Sequence, residues 1–206
     1  MNTGHKMPYI ICIEGNIGAG KSTLLNELES RGYTVFREQN DRDAHRHDWL
    51  WALNNCYSDP KRWACTLQLA IINSMAEQKK TIDKINSPFV FVERCPLSTT
   101  VFTNLWKKQE CLTDDEFNLI NGIYDMLEWK PDFTLMLTTP PLECFQRTIK
   151  RGRECESSMS LDYITDVASE YSKVYADAQF IPLDHNGSVS DVVGRTLNLI
   201  FRYMTM

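Results

Sequence analysis

A short glycine-rich segment carries the clearest chemical signal in the sequence. Residues 15–22 have the pattern G-x-x-x-x-G-K-S, with an apolar, β-branched run before them at 9–13 and a stretch of helical spacing after them. Glycines let the backbone wrap closely, so that successive N–H groups point at phosphate oxygens, and the start of a helix adds its positive end. Strand, loop and helix together predict a phosphate loop that binds a nucleoside triphosphate.

Two side chains of this loop have predicted chemical roles. The Lys21 ammonium can reach the β- and γ-phosphates of the nucleotide, and the Ser22 hydroxyl can ligate Mg²⁺. The predicted nucleotide-binding residues of the loop are Gly15, Asn16, Ile17, Gly18, Ala19, Gly20, Lys21, Ser22 and Thr23.

Two acidic residues follow strands that are predicted to lie beside the loop. Glu38 follows the second strand, which in a parallel sheet places it at the carboxyl edge, where it could accept a proton from an attacking hydroxyl. Glu93 follows the third strand and could bind Mg²⁺ directly or through water, while Arg94 could hold the reacting end of an acceptor. The alternatives are a solvated glutamate at Glu38 and a structural ion pair between Glu93 and Arg94.

Three arginines late in the chain predict a lid. Arg147, Arg151 and Arg153 have the spacing R-x-x-x-R-x-R, and a Ser- and Glu-rich stretch follows them. Guanidinium groups that close over phosphates can neutralise the charge that develops during phosphoryl transfer. We therefore expect a lid at about 151–160, with Arg147 at the nucleotide; a solvated basic face is the alternative.

Other classes of P-loop protein fit the sequence less well. The N-K-x-D motif with which a GTPase binds guanine is absent, and the D-x-x-G at 184–187 follows the last predicted strand instead of an early one. Motor and transporter ATPases usually have an Asp-Glu pair where this chain has Glu93 and Arg94. The phosphate loop, carboxylate, acidic–Arg pair and Arg-rich lid together favour a small-molecule kinase of the nucleotide-kinase type.

Strands and helices that alternate along the chain must position these residues. Helices are predicted after the phosphate loop, from Asp59-Pro60, at 98–108, from a capping box at 113–116, from Pro140-Pro141, at 161–178 and at 192–203. Five apolar strands are predicted, at 9–13, 34–37, 89–92, 133–137 and 180–183. The alternation predicts an α/β protein, a P-loop three-layer α/β/α fold with a five-stranded parallel sheet. We expect residues 1–206 to form a single domain.

Composition and charge argue against several other classes of protein. The net charge is −5 and there is no basic tail, so a nucleic-acid partner is not expected. No apolar run approaches the ~20 residues of a membrane span, and no signal peptide is expected. The seven cysteines are scattered without a C-x-x-C motif, which predicts reduced thiols in a cytoplasmic protein.

Four segments together indicate a protein family more specifically than the phosphate loop does alone. They are G-N-I-G-A-G-K-S-T at 15–23, Y-x-D-P-x-x-W-x-x-x-x-Q at 57–68, E-R-C-x-x-S at 93–98, and R-G-R with acidic residues after it at 151–156. With this set, the chain resembles the deoxyribonucleoside kinases from residue 9 to about residue 183. It departs from the family pattern at Cys95 (Ser in the family), Gln39 (Pro) and Asp43 (a Trp that packs on the substrate). Trp49 or Trp51 could take the place of that Trp.

The resemblance implies a reaction and a role for each site residue. ATP would phosphorylate the 5′-hydroxyl of a deoxynucleoside, with Mg²⁺ held by Ser22 and Glu93. Tyr57 and Glu156 would hold the 3′-hydroxyl, and Glu38 would be the general base. The implied catalytic residues are Glu38, Arg94, Lys21, Arg151 and Arg153. The implied substrate-binding residues are Glu38, Tyr57, Gln68, Ile71, Met75, Arg94, Thr99 and Glu156.

The residues expected around the base indicate a pyrimidine. Gln68 can present a donor and an acceptor together to the edge of a base. Ile71, Met75 and Thr99 carry no charge, as in thymidine-accepting members of the family, and the two apolar side chains would leave little room for a purine. We expect thymidine to be preferred and deoxycytidine to come second, with purine deoxynucleosides poor.

Two other functions stay open from the sequence. A nucleoside-monophosphate kinase of the thymidylate-kinase type would need extra cations near Arg94 and an Asp-Arg pair in place of Glu93-Arg94. A non-catalytic nucleotide-binding subunit, as found in this family, would not need the intact Lys21, Glu38 and lid. Because the family is usually dimeric, the resemblance also implies a homodimer.

Overall fold

Short apolar strands build the centre of the molecule. The computed structural model describes residues 7–38, 49–153, 156 and 159–204. The strands within them are β1 (Tyr9–Gly15), β2 (Val35–Phe36), β3 (Phe89–Glu93), β4 (Phe133–Leu137) and β5 (Ile181–Leu183). All pair in parallel, in the order β2-β3-β1-β4-β5. The five predicted strands are therefore confirmed, with small differences at their ends.

Helices cover both faces of this sheet. Those in the described residues are α1 (Lys21–Ser30), α2 (Leu50–Ser58), α3 (Pro60–Ile82), α4 (Leu97–Lys108), α5 (Asp114–Leu127), α6 (Pro141–Arg151), α7 (Leu161–Val174) and α8 (Val189–Met204). Alternate residues of β1 separate the two faces, because side chains of a strand point in turn to opposite sides. Ile11 and Ile13 pack with α1 and α8, whereas Ile10 and Cys12 pack with the end of α3. The predicted three-layer α/β/α fold is confirmed.

Local hydrogen bonds explain where the helices begin. Asp59 Oδ1 accepts the Arg62 N–H at 3.3 Å and caps α3, as the sequence predicts. The predicted capping box of α5 is also present, because Thr113 Oγ1 accepts the Glu116 N–H at 3.2 Å and Glu116 Oε2 accepts the Thr113 N–H at 2.8 Å.

Two helices differ from the sequence-based expectation. Helix α8 begins at Val189 instead of the predicted Val192, since Ser188 and Asp191 form reciprocal side-chain to backbone hydrogen bonds of 2.8 and 3.2 Å. Helix α2 has no counterpart among the predicted helices.

Part of the predicted site lies outside the described residues. This applies to 39–48, which include Gln39 and Asp43, and to 154–155 and 157–158 of the predicted lid. In the part of the chain that is described, no helix is both long enough and apolar enough to cross a membrane.

We expect Thr113→Ala to lower the free energy of unfolding by ~1 kcal/mol, because it removes the hydroxyl that caps α5. Chemical denaturation of the variant and the wild type measures the difference. Thr113→Ser keeps the hydroxyl and is the control, which should stay close to the wild type. Equal losses in the two variants would show that the capping hydrogen bond does not stabilise the fold.

Candidate active site

The phosphate loop passes closely over α6. The φ angles of its three glycines are positive, 144° at Gly15, 78° at Gly18 and 105° at Gly20. A Cβ at Gly18 would lie 2.3 Å from the carbonyl oxygen of Cys144, so a side chain there would collide with the backbone of α6. Only glycine allows both this backbone conformation and this approach.

Two residues of the loop anchor it to neighbouring helices. Asn16 Nδ2 donates to the carbonyl oxygen of Ile164 on α7 at 2.9 Å, and the carbonyl oxygen of Ala19 accepts from Arg147 Nη1 at 3.1 Å. Asn16 and Ala19 therefore shape the loop, and neither they nor Gly15 line the cavity described below.

Lys21 is buried at the start of α1 and is held by the loop itself. Its Nζ donates to the carbonyl oxygens of Gly15 at 3.0 Å and Asn16 at 2.9 Å. Burial, together with the positive charge of Arg94, lowers the pKa of Lys21 to about 8. An anion bound beside the ammonium would favour its charged form, as phosphate binding requires.

The two residues predicted to hold Mg²⁺ are in contact. Ser22 lies in the first turn of α1 and Glu93 ends β3, and Ser22 Oγ donates to Glu93 Oε1 at 3.0 Å. A hydroxyl and a carboxylate are oxygen ligands of the kind that Mg²⁺ prefers. The residues present therefore fit this cation.

Arg94 and Glu38 form an ion pair next to this contact. Arg94 Nε donates to Glu38 Oε2 at 3.0 Å, with the Arg94 side chain 4% exposed and that of Glu38 21% exposed. Burial raises the pKa of Glu38, and Arg94 opposes the rise only in part. Burial alone would lower the pKa of Arg94, but the carboxylates of Glu38, Glu14 and Glu93 together raise it. The guanidinium is therefore always charged.

These groups open onto a cavity of about 440 Å³. The predicted residues that line it are Ile17, Gly18, Gly20, Lys21, Ser22, Thr23, Glu38, Tyr57, Gln68, Ile71, Glu93, Arg94, Arg147, Arg151, Arg153 and Glu156. They come from the end of β3, from the segments that follow β1, β2 and β3, from α1, α2, α3 and α6, and from the lid. The fold thus joins residues that are more than a hundred positions apart in the sequence.

Met75 and Thr99 do not line this cavity, in contrast to the expectation from the sequence. Met75 lies one turn beyond Ile71, where it packs in the apolar core and its carbonyl oxygen accepts from Trp129 Nε1 at 3.0 Å. Thr99 is buried, and its Oγ1 donates to the carbonyl oxygen of Pro96 at 2.7 Å. Neither side chain is available to a base in the cavity.

Several lining residues were not predicted. They are Leu53, Leu67, Phe102, Trp106, Lys150, Met159 and Tyr163, and most of them form apolar walls from α2, α4 and the start of α7. Trp49, one of the two candidates for the missing family Trp, also lines the cavity, whereas the other, Trp51, is half exposed and packs against Trp63 instead. The aromatic walls carry no local signal, because only the packing of α4 and α7 brings them to the cavity.

Glu14 is a further residue of the site region that the sequence pattern did not predict. It lies in β1 directly before the phosphate loop and is 0% exposed. Its Oε2 is 3.6 Å from Arg94 Nη1, although Glu14 itself does not line the cavity. A carboxylate at the end of an apolar strand is the signal that could have drawn attention to it.

The described part of the lid is tied together by ion pairs. Arg151 Nη2 lies 2.5 Å from Glu156 Oε1, and Arg153 Nη1 lies 3.6 Å from the same oxygen. Gly152 between the two arginines ends α6 in a left-handed conformation with φ of 65°. Both arginines and Glu156 therefore face the cavity from one short segment.

The parallel sheet, the phosphate loop and the charged residues at the strand ends define a P-loop phosphotransferase. A family model described as deoxynucleoside kinase matches residues 11–193, so the chain belongs to the deoxynucleoside kinase family. As a member of this family of enzymes, it is an ATP-dependent phosphotransferase.

Individual relatives and a solved structure agree with this membership. The chain is 30% identical to "Putative kinase protein 029R" of Invertebrate iridescent virus 3, over 93% of this chain and 95% of that relative. It is 30% identical to "Putative deoxynucleoside kinase" of Frog virus 3, over 81% and 83% of the two chains. A structure of deoxyadenosine kinase from M. mycoides, with the products dCMP and a flexible dCDP bound, has a TM-score of 0.78. It shares 19% sequence identity over 94% of this chain and 99% of that chain, a likeness that concerns the fold.

We expect Gly18→Ala to weaken binding of a nucleoside triphosphate at least about tenfold, equivalent to ~1.4 kcal/mol, because the added Cβ displaces the phosphate loop from α6. Titration with a fluorescent ATP analogue measures the dissociation constant. The matched control is Gly122→Ala on α5, where nothing lies within 4 Å of the added Cβ. An unchanged dissociation constant for Gly18→Ala would contradict the tight packing of the loop.

Proposed function

We propose that this protein transfers the γ-phosphate of ATP to the 5′-hydroxyl of a deoxynucleoside, with Mg²⁺ as cofactor and a preference for pyrimidine bases. The observation that carries the proposal is that the Glu38–Arg94 pair, Lys21 and the Ser22–Glu93 contact meet at one cavity. A base, a phosphate-binding cation and oxygen ligands for a metal are the groups that phosphoryl transfer uses.

In the proposed reaction, the phosphate loop holds ATP. Its backbone N–H groups and the N-terminus of α1 donate to phosphate oxygens, and Lys21 exchanges the carbonyl oxygens of Gly15 and Asn16 for the phosphates. Mg²⁺ held by Ser22 and Glu93 would neutralise charge on the phosphates. Arg151 and Arg153 of the lid would stabilise the charge of the transferred group.

Glu38 is the proposed general base. It takes the proton of the 5′-hydroxyl while the hydroxyl oxygen forms a bond to the γ-phosphorus and the bond from that phosphorus to the bridging oxygen of ADP breaks. The raised pKa of Glu38 makes its carboxylate a stronger base than an exposed glutamate. Arg94, which donates to Glu38 from 3.0 Å, orients the carboxylate and keeps it ionised until the proton arrives.

The proposed base site is the part of the cavity around Gln68. The side chain of Gln68 is 1% exposed, and its Oε1 accepts from Thr103 Oγ1 at 3.5 Å. The neighbouring Ile71 and Trp106 are apolar. The Gln68 amide beside these uncharged side chains supports a preference for a pyrimidine base, with thymidine first and deoxycytidine second. The amide would satisfy N3–H and O4 of thymine. Since Met75 is absent from the wall, Ile71 and the aromatic side chains would limit the size of the base.

The proposed sugar site lies between Tyr57 and Glu156. Both line the cavity, Tyr57 from α2 and Glu156 from the lid, and they are the residues expected to hold the 3′-hydroxyl.

The homodimer, the single domain and the cytoplasmic location stay predictions from the sequence. Native mass measurement against the 23.9 kDa of one chain tests the dimer.

We expect Glu38→Gln to lower kcat by ~10²-fold or more with little change in the KM for ATP, because general-base catalysis contributes about that much. For the wild type, kcat/KM should fall as the pH drops through the raised pKa of Glu38, since its carboxylate must be unprotonated to accept the proton. Glu27→Gln, at an exposed residue of α1 that pairs with Arg31, is the matched control. A Glu38→Gln variant with more than a tenth of the wild-type kcat would remove Glu38 from this role.

We expect initial rates to give kcat/KM in the order thymidine, deoxycytidine, purine deoxynucleosides. The measurement uses the four deoxynucleosides and thymidine monophosphate as acceptors, with ATP and Mg²⁺. Phosphorylation of thymidine monophosphate in preference to thymidine would identify a nucleoside-monophosphate kinase instead. A deoxypurine above both pyrimidines would show that the interpretation of the base site is wrong.

A further inference from the structure

Arg94 has a backbone conformation that is costly for a residue with a side chain. Its φ is 65°, in the left-handed region, which is unfavourable for an ordinary L-residue because Cβ comes too close to the following carbonyl oxygen. Such residues persist only where the surrounding structure holds them. The Arg94 N–H donates to the carbonyl oxygen of Ile13 on β1 at 3.1 Å, which secures one side of the residue.

Glu14 secures the other side of that backbone. Its Oε1 accepts the N–H of Cys95, the residue directly after Arg94, at 3.0 Å. The same oxygen also accepts from the thiol of Cys12 at 3.7 Å. The peptide units on both sides of Arg94 are thus hydrogen-bonded to residues at the end of β1.

The second oxygen of Glu14 is directed at the guanidinium of Arg94. Arg94 Nη1 is 3.6 Å from Glu14 Oε2 and donates to the hydroxyl of Tyr171, and that hydroxyl donates to Glu14 Oε2 at 3.2 Å. The Phe102 ring lies on the guanidinium, with its centroid 5.1 Å from Cζ. One end of the guanidinium is therefore fixed in the interior, and Nε at its other end meets Glu38.

Glu14 has no path to the substrate, because it is 0% exposed and does not line the cavity. A buried carboxylate is strongly destabilising unless it is paired, and Glu14 is paired with the Cys95 N–H and with the Arg94 guanidinium. We infer that Glu14, together with the Tyr171 hydroxyl, is a positioning residue that holds Arg94 in the orientation in which it aligns Glu38. The inference rests on the proposed function, since it gives Glu14 the role of positioning Glu38 as the general base of that reaction.

The first experiment measures kcat and KM of Glu14→Gln and Tyr171→Phe with ATP and thymidine. We expect kcat to fall by on the order of 10–100-fold in Glu14→Gln, because a small misplacement at the reacting atoms is that costly. Tyr171→Phe should show a smaller loss in the same direction. The KM for ATP should stay within about threefold in both variants, because the phosphate loop is untouched.

The matched control is Glu170→Gln. Glu170 is also a buried glutamate and is the neighbour of Tyr171 on α7, but it pairs with Lys108 and Asn104 and does not line the cavity. This variant should keep the wild-type kcat even where its melting temperature falls. A loss of kcat in Glu170→Gln equal to that in Glu14→Gln would reduce the effect to general destabilisation and overturn the inference.

The second experiment asks whether Glu14 acts through Glu38. In a double-mutant cycle, Glu14→Gln should lower kcat much less in the Glu38→Gln background than in the wild type, because the group it aligns is already lost. Equal losses in the two backgrounds would overturn the inference. If Glu14→Gln does not fold, the same cycle with Tyr171→Phe decides, and an unchanged kcat in Tyr171→Phe counts against the inference.

The two proposals can fail separately. A wild-type protein without deoxynucleoside kinase activity, or an active Glu38→Gln, would refute the proposed function. A wild-type protein that needs Glu38, with a Glu14→Gln variant of normal kcat and normal melting temperature, would refute only the role of Glu14.

Discussion

The charge balance around Arg94 is the constraint on which the site depends. A buried guanidinium is tolerated only when carboxylates compensate it, and Glu14, Glu38 and Glu93 surround this one. The carboxylates in turn need the guanidinium, because three negative charges at such short range repel one another. The strand order explains how they meet: β2, β3 and β1 are neighbours, Glu93 ends β3, Glu14 is the last residue but one of β1, and Glu38 lies two residues after β2. The order of the strands therefore brings the three carboxylates together around Arg94, where the chemistry is proposed to occur.

The charged and the apolar parts of the cavity are built by different elements. The end of β3, the segment after β2, the start of α1, and α6 with the lid contribute the ionised groups. The segment that begins α2, together with α3 and α4, contributes Trp49, Gln68, Phe102 and Trp106. Under the proposed function, the choice of nucleobase can consequently change through substitutions on helices that leave the strand ends intact. Relatives in one family can share the phosphoryl-transfer site and still differ in the nucleoside they take.

The predictable parts of the fold and the site are those that local sequence determines. The phosphate loop, the strands and the capping box at Thr113 each depend on residues close together in the chain, and they are confirmed. The helical phase after Gln68 also correctly predicts that Ile71 faces the cavity. The helical phase alone does not show how far the cavity extends along α3. For that reason the sequence pattern predicts Met75 in the cavity wall, whereas Met75 packs in the apolar core.

Long-range packing accounts for what the sequence did not reveal. Phe102 and Tyr163 reach the cavity because α4 and α7 pack together, and no spacing within either helix indicates this. Glu14 was overlooked because the strand was expected to end at Ile13, one residue before it. Its importance is visible only when Arg94, eighty positions later in the chain, is seen beside it.

The burial of Lys21 within its own loop couples nucleotide binding to the uptake of protons from solution. Because burial and Arg94 lower its pKa to about 8, a sizeable fraction of the molecules carries a neutral lysine in mildly alkaline buffer. The phosphates of a bound nucleotide favour the ammonium, so binding under these conditions takes up part of a proton. That proton comes from the buffer, and the heat of binding then includes the ionisation enthalpy of the buffer. The apparent affinity for a nucleotide consequently weakens as the pH rises through this range.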